Sequence, residues 1–202
     1  MNLQVQEVSP ELLAVLRRLM SLPQLESFYL AGGTALALHY GHRVSVDIDL
    51  FSELPFDATK LSESLSKECA LSEVALDANT ILGQIDGIKM DILAHQYPPI
   101  ADVVVEDGLR LLAVEDIAAM KLNAIANRGS KKDFWDLYEL MQHFSRQDLL
   151  GFFEKKYPSS NRWAVEKSLV YFDDAEADPN PLCLNARTWA QIKSEIQAWN
   201  RL

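Results

Sequence analysis

The chain has 202 residues, 49% of them apolar, which is enough for a real core in one large domain or two small ones. Its two cysteines, Cys69 and Cys183, form neither a disulfide framework nor a zinc pattern, and a formal net charge of -10 argues against broad nonspecific nucleic-acid binding. With no basic leader followed by an apolar run and no apolar stretch of membrane length, the expectation is a soluble, cytoplasmic protein with no membrane partner.

From Pro10 to Met20, Leu12, Leu13, Val15, Leu16 and Leu19 recur at helical spacing behind the start signals Ser9 and Pro10. Phe28 to Ala31 then reads as a short buried strand, Gly32-Gly33 as a tight turn, and Thr34 to Tyr40 as a helix stopped by Gly41. Val44 to Phe51 alternates, with Val44, Val46, Ile48 and Leu50 on one face and Ser45, Asp47 and Asp49 on the other. Residues 57 to 70 form an amphipathic helix. Segments 80 to 85 and 88 to 93 flank Asp86-Gly87, a strong hairpin signal. Tyr97-Pro98-Pro99 ends this half, and the remainder reads as helical: Glu115 to Asn127, Lys132 to Phe144, then 147 to 156, 161 to 172 and 186 to 200. The predicted fold class is therefore α/β (α+β). A mixed-sheet core over residues 1 to 100 is followed by a helical domain over residues 101 to 202, with a cleft between them.

Charge divides unevenly along the chain. Residues 1 to 109 carry six Lys/Arg against sixteen Asp/Glu, whereas residues 110 to 167 carry ten against eight. An acidic first half beside a mildly basic second suits a site with cations on one wall and phosphate on the other. Carboxylates at i and i+2 on one strand project side by side, as hard divalent cations require. By itself that pair describes a solvated strand face. Fourteen residues before Asp47, however, the Gly32-Gly33 turn opens a helix whose N-terminal amides favour phosphate, and Thr34 adds a hydroxyl. A plain turn needing positive φ explains the two glycines equally well. Asp91, on the polar face of a later strand, completes a three-acid cluster if that strand pairs beside the first. Two metal ions roughly 3.5 to 4 Å apart suit phosphoryl-type transfer. Asp47 and Asp49 then hold both ions, and Asp91 holds the acceptor-side ion and assists deprotonation. His39, His42, His95 and His143 have no metal-ligand spacing, and the four tryptophans read as core or interface residues.

At this point LAGGTALALHYGHRVSVDIDLF resembles the signature of the AbiEii/AbiGii-type nucleotidyltransferases, a branch of the DNA polymerase β-like superfamily that includes type IV toxin-antitoxin toxins. IKMDILAHQYP is similar to that family's third-acid strand, AVEDIAAMKLNAIANRGSKKDFWDLYEL to its Lys-Arg-Lys-Asp helices, and SLVYFDDAEADPNP with TWAQIK to the C-terminal pattern of its shorter members. The chain departs from the well-known toxins in being shorter. The resemblance implies a polymerase β-like nucleotidyltransferase core, two Mg²⁺ ions, an NTP substrate, and Lys121 as a cation on the transferring or leaving phosphate. Asp133 falls in the family's Lys-Asp pair and carries a catalytic expectation. For Asp136 a catalytic role and an anchor for Arg128 or Lys132 stay equal. Gly32, Gly33, Thr34, Lys121, Arg128 and Lys132 are the expected nucleotide-binding set. Arg43 is expected on phosphate or, without metal, on Asp47.

The implied reaction moves a nucleoside monophosphate from an NTP-Mg²⁺ complex to an acceptor hydroxyl. An RNA acceptor such as tRNA is expected through the basic stretch Arg128, Lys131, Lys132, Lys155, Lys156 and Arg162, with a cognate antitoxin restraining the enzyme. The alternatives are adenylylation of a protein or small molecule, and a nucleotide-binding module without turnover.

Overall fold

The computed structural model describes residues 3 to 183 and 187 to 201. Helix α1 (Pro10–Ser21) begins where expected: the Ser9 hydroxyl accepts the Leu12 amide at 3.1 Å, Pro10 sits in the first turn, and Leu12, Leu16 and Leu19 are buried. Strand β1 (Tyr29–Leu30) leads into α2 (Gly32–Tyr40), which Gly41 ends at a φ of 67°. Then come β2 (Ile48–Ser52), α3 (Ala58–Glu68), β3 (Leu71–Asp77), β4 (Thr80–Ile85) and β5 (Ile88–Ala94). Short strands β6 (Val104–Glu106) and β7 (Leu109–Leu111) follow. The helical remainder is α4 (Val114–Asn127), α5 (Lys131–His143), α6 (Arg146–Lys156), α7 (Arg162–Ser168) and α8 (Trp189–Trp199). The first residue of the expected last helix, Ala186, lies outside the described residues.

All seven strands form one mixed sheet, in the order β3-β4-β5-β2-β1-β7-β6. The hairpin of β4 and β5 turns at Asp86 and Gly87, both at positive φ (52° and 79°), as the sequence predicts. Three expectations are corrected. First, residues 101 to 112 are not helical: Asp107-Gly108 repeats the same turn, and β7 pairs in parallel with β1 through Leu30 and Leu111. The sheet therefore continues past residue 100, to Leu111. Second, β2 starts only at Ile48, because the Val44 and Ser45 amides donate to the carbonyls of Leu182 and Glu7 instead of to a sheet neighbour. Val46, expected in the core, is 65% exposed as a result. Third, β3 is a strand the pattern does not reveal, since it is an exposed, bulged edge with Glu73 at positive φ.

The core lies between the sheet and its helices. Leu30, Ile48, Leu50, Met90 and Ile92 meet Leu16, Leu36, Ile117 and Leu122 in one continuous buried cluster. Helix α4 is its pivot and touches α2, α5, α6 and α7. Trp135 is buried as expected, whereas Trp163 is largely exposed, and His39 and His42, expected at or near the surface, are buried. Among the described residues no helix is long and apolar enough to cross a membrane.

Arg110 on β7 fastens the far end of the sheet: its guanidinium donates to the carbonyls of Met20 (2.8 Å), Leu25 (2.9 Å) and Phe28 (3.2 Å). Arg110→Met removes a donor from three carbonyls, of which that of Leu25 keeps the Phe28 amide, and should cost about 2–4 kcal/mol of stability. Urea unfolding measures this, and a change of under about 0.5 kcal/mol, the range of ordinary surface substitutions, would show the clamp to be idle.

Candidate nucleotidyl-transfer site

Parallel pairing of β2 with β5 sets Asp49 directly beside Asp91, with Asp47 one step ahead of β2. All three line a single cleft of about 800 Å³ between the sheet and α4. Each carboxylate has a different environment. The Asp47 Oδ2 is 3.5 Å from Lys132 Nζ, and the Asp91 Oδ2 is 3.0 Å from Lys89 Nζ. Asp91 Oδ1 is buried with no hydrogen-bond partner. Burial pushes the Asp49 pKa up, Lys121 opposes this, and the charges of Asp91 and Asp47 reinforce it. A lone buried carboxylate oxygen beside a carboxylate crowded by like charge is what a divalent cation relieves, so these oxygen donors fit Mg²⁺. Among the described residues no three His, Cys, Asp or Glu side chains already enclose a cation-sized point; the acids share a wall and not a closed cage.

Facing Asp49 is the glycine turn, and here the sequence left two explanations open. Gly32 has a φ of +66°, and a Cβ there would lie 2.1 Å from Asp49 Oδ2; at Gly33 it would lie 2.0 Å from an Arg43 guanidinium nitrogen. The glycines thus serve close approach of an acid and a cation as well as the turn itself. Both line the cleft. Thr34 does not. Its hydroxyl is buried, donates to the Asp47 carbonyl and contacts the Ser45 hydroxyl at 2.8 Å, so it fixes the acid-bearing loop and is not available to phosphate.

Behind the turn lies a buried ion network. Asp136 accepts from Arg43 Nε at 2.6 Å and Nη2 at 3.0 Å, and lies 2.7 Å from both His42 Nε2 and Lys121 Nζ. Asp133 takes Lys121 Nζ at 3.0 Å, Arg128 Nε at 3.1 Å and the Ser130 hydroxyl at 2.6 Å. Burial alone raises the Asp136 pKa, but Arg43 and Lys121 outweigh it and hold the carboxyl well below its ordinary range. Burial likewise lowers Lys121, but Asp136 and Asp133 outweigh it and keep the amine charged.

Several sequence expectations are revised by this arrangement. Asp133 is wholly buried, lies off the cleft wall and holds Lys121 and Arg128, so it is a positioning group. Asp136 is an anchor, but for Arg43, His42 and Lys121 and not for Arg128 or Lys132. Arg43 lines the cleft but does not pair with Asp47: Asp136 accepts from its Nε and Nη2, and the Val44 carbonyl accepts from Nη1 at 3.2 Å. Lys121 does line the cleft, but as a buried cation shared by two acids. Arg128, Lys89 and Lys132 are the accessible cations there, with side chains 60%, 58% and 46% exposed.

The expected basic stretch is largely consumed. Lys131 donates to the carbonyl of Asp178 at 2.6 Å and to that of Glu176 at 3.3 Å, while Lys155 donates to the carbonyl of Ile100 at 2.6 Å. Lys156 is buried against Asp116 at 2.6 Å, and Arg162 pairs with Glu154 and Glu166. Sequence reasoning also missed part of the lining. Phe51 and Leu93 stand two residues beyond Asp49 and Asp91, a period-two signal that was available, and His95, Met120, Asn123, Asn127 and Tyr157 line the same cleft. A strap over residues 178 to 182 borders the cleft, tied down by the Val44 amide on the Leu182 carbonyl at 2.9 Å.

The fold aligns with that of JHP933 from Helicobacter pylori at a TM-score of 0.58 and 20% identity, covering 96% of this chain and 92% of that one. It also aligns with MenT4, a nucleotidyltransferase toxin of Mycobacterium tuberculosis, at 0.56 and 13% identity, covering 93% and 85%. The architecture is the polymerase β-like nucleotidyltransferase fold. The family model described as nucleotidyl transferase AbiEii toxin, type IV TA system, matches residues 14–198. An uncharacterized protein of Aquifex aeolicus is 38% identical over 169 residues, 81% of this chain and 82% of its own. The chain belongs to the AbiEii nucleotidyl transferase toxin family and is a nucleotidyltransferase.

The depressed pKa fixes the sign of a pH effect: the stability contributed by Asp136 is complete above the unfolded carboxylate pKa and is lost as acid protonates the folded group. Asp136→Asn should cost about 3–5 kcal/mol at neutral pH. It should also flatten the loss of stability below about pH 4. Urea unfolding at neutral pH and across that acid window checks both; an unchanged acid limb would mean that other carboxylates dominate it.

Proposed function

We propose that the protein transfers a nucleoside monophosphate from an NTP-Mg²⁺ complex to an acceptor hydroxyl, with release of pyrophosphate. The observation that carries this is the in-register pair Asp49 and Asp91, both lining the cleft with Asp47, with one Asp91 oxygen buried and unpartnered. Two divalent ions, when bound, neutralise charge on the transferring group and its leaving pyrophosphate. Asp47 and Asp49 would hold them, with Asp91 on the acceptor side, where a carboxylate also assists removal of the hydroxyl proton. Gly32 and Gly33 let the chain pass close under the phosphates at the start of α2. Arg128 and Lys132, free of burial, supply mobile positive charge, and Lys121 supplies fixed charge behind the acids.

For the acceptor we propose RNA, such as the 3′ end of tRNA, with a cognate antitoxin as partner and the cytoplasm as location. Membership of a type IV toxin family and the likeness to a nucleotidyltransferase toxin support this reading. The contact is narrower than the sequence suggests. With Lys89, Arg128 and Lys132 the exposed cations lining the cleft among the described residues, the slope of log affinity against log salt should be shallow, about -2.1 for three phosphates on a single strand. Transfer to a protein or small molecule is the second reading, favoured by that same loss of free cations.

The test incubates the enzyme with each labelled NTP, Mg²⁺ and either total tRNA or cell lysate. Asp47→Asn, Asp49→Asn and Asp91→Asn should each lower incorporation by at least about 100-fold. Their thermal midpoints should stay near that of the parent. Undiminished incorporation by the Asp47 or Asp49 variant ends the two-metal reading, and by the Asp91 variant its third ligand. Label confined to protein overturns the RNA assignment alone, and no label anywhere favours a binding module.

A further inference from the structure

The chemistry of the cleft is laid out across the sheet in strand order. Strand β1 leads into the glycine turn, β2 carries Asp49 with Asp47 just ahead of it, β5 carries Asp91 and Lys89, and β4 stands beyond. Lys121, Arg128 and Lys132 come instead from the helical wall, on α4, on α5 and in the turn between them. Among the described residues Lys89 is the one cleft-lining cation that a strand carries. It stands two residues before Asp91, on the same sheet face, and its Nζ is 3.0 Å from Asp91 Oδ2. With the lysine more than half exposed, that pair is worth about 0–1 kcal/mol, so stability does not account for it. Past Lys89 the wall is open: Leu82 of β4 pairs in register with Asp91 and is 41% exposed, Gln84 pairs with Lys89, and β3 is exposed from Ser72 onward.

We propose that Lys89 binds the phosphate next to the accepting hydroxyl of an RNA 3′ end and thereby positions that hydroxyl at Asp91. Strand order supplies the side. Donor phosphates belong to the glycine turn and the helical wall, and attack in line with the leaving group comes from the far side of the acids, across β5 and β4. The open wall there has room for a macromolecule. The Cα atoms of Lys89 and Asp91 stand about 7 Å apart along the strand, a span that one nucleotide bridges. A lone ammonium on a flexible stem takes a phosphate as a point charge. The Gln84 amide beside it is donated to Glu73, whose carboxylate stands next in line, so this shelf suits one phosphate and not a continuous polyanion track. Lys89 exchanges Asp91 for the phosphate when that carboxylate takes its ion. A protein or small-molecule hydroxyl carries no such phosphate, so the inference rests on the nucleotidyltransferase reading with an RNA acceptor and names the residue that registers the RNA.

The test rebuilds the tRNA that accepts label with a 3′-deoxy end, which cannot react, and with either a normal phosphate or an uncharged methylphosphonate at its last linkage. Fluorescence anisotropy then measures binding of both RNAs to the full chain. The neutral linkage should weaken binding to the parent protein about tenfold. Lys89→Met should weaken the normal RNA by a similar factor, lose the discrimination between linkages, and reduce the salt slope from about -2.1 to about -1.4. Lys89→Arg should keep the discrimination, and the KM for NTP should stay at the parent value in both variants. A parent protein indifferent to the linkage, or a Lys89→Met variant with the parent's ratio, overturns the assignment. Equal weakening of both RNAs by Lys89→Met, with a lowered thermal midpoint, also overturns it and leaves Lys89 as a support for Asp91. A raised KM for NTP with the RNA ratio intact gives the lysine to the donor. Absence of label on every RNA in the transfer assay ends the RNA reading and this assignment with it, a result distinct from labelled RNA bound without regard to its last linkage.

Discussion

The site depends on four charges that are almost wholly out of water: Asp136 and Asp133 from α5, Lys121 from α4, and Arg43 from the loop before β2. Removing such groups from solvent is expensive, and an apolar substitute for the whole set would be about as stable or more so. Stability alone therefore does not account for the network. What it supplies is position. Arg43 is taken by Asp136 through two nitrogens and lies against Gly33, so one guanidinium joins the turn of α2 to α5. Lys121, between Asp133 and Asp136, locks α4 to the same helix. Three segments distant in sequence thereby share one register.

Asp49 is held in opposition to this network. Its carboxylate presses on the Gly32 backbone, is buried, and feels two like charges, yet Lys121 stands close enough to offset part of that cost. The acid wall is thus prepared for added positive charge, while the network behind it is already balanced. A cation added to the cleft would meet an electrostatic deficit only on the sheet side. The glycine pair keeps that deficit next to the backbone amides of α2, where the helix dipole favours phosphate.

The sequence exposes this division unevenly. Asp47, Asp49 and Asp91 are legible because strand periodicity places i and i+2 on one face, and Gly32-Gly33 because few residues tolerate such a turn. The role of Asp133 is not legible: its neighbours Lys132 and Asp136 suggest a surface, and its burial comes from α4 and α5 closing together. The basic stretch misleads for the same reason. Lys156 meets Asp116, forty residues away, and Lys131 caps carbonyls near Asp178, pairings that no local window contains. The β6–β7 hairpin is a different case, since Asp107-Gly108 carries the same turn chemistry as Asp86-Gly87 and was masked by the neighbouring Tyr97-Pro98-Pro99.

With the cations Arg43 and Lys121 buried, the balance between site and substrate rests on the exposed ones, Lys132 and Arg128 among them. Lys132 is held by Asp47 at 3.5 Å in a half-exposed pair, and the exposed Arg128 leans on Asp133. The exposed Lys132–Asp47 pair is worth about 0–1 kcal/mol, little enough for a triphosphate to redirect Lys132; a triphosphate would draw Arg128 from a carboxylate that is itself buried. Asp133 would then keep Lys121 and Ser130 as partners and would not be stranded. Asp47 would exchange an ammonium for a metal ion. In the proposed reaction the same event that brings in the nucleotide therefore frees the first carboxylate for its ion, so phosphate binding and metal binding are coupled through Lys132 without movement of the buried network.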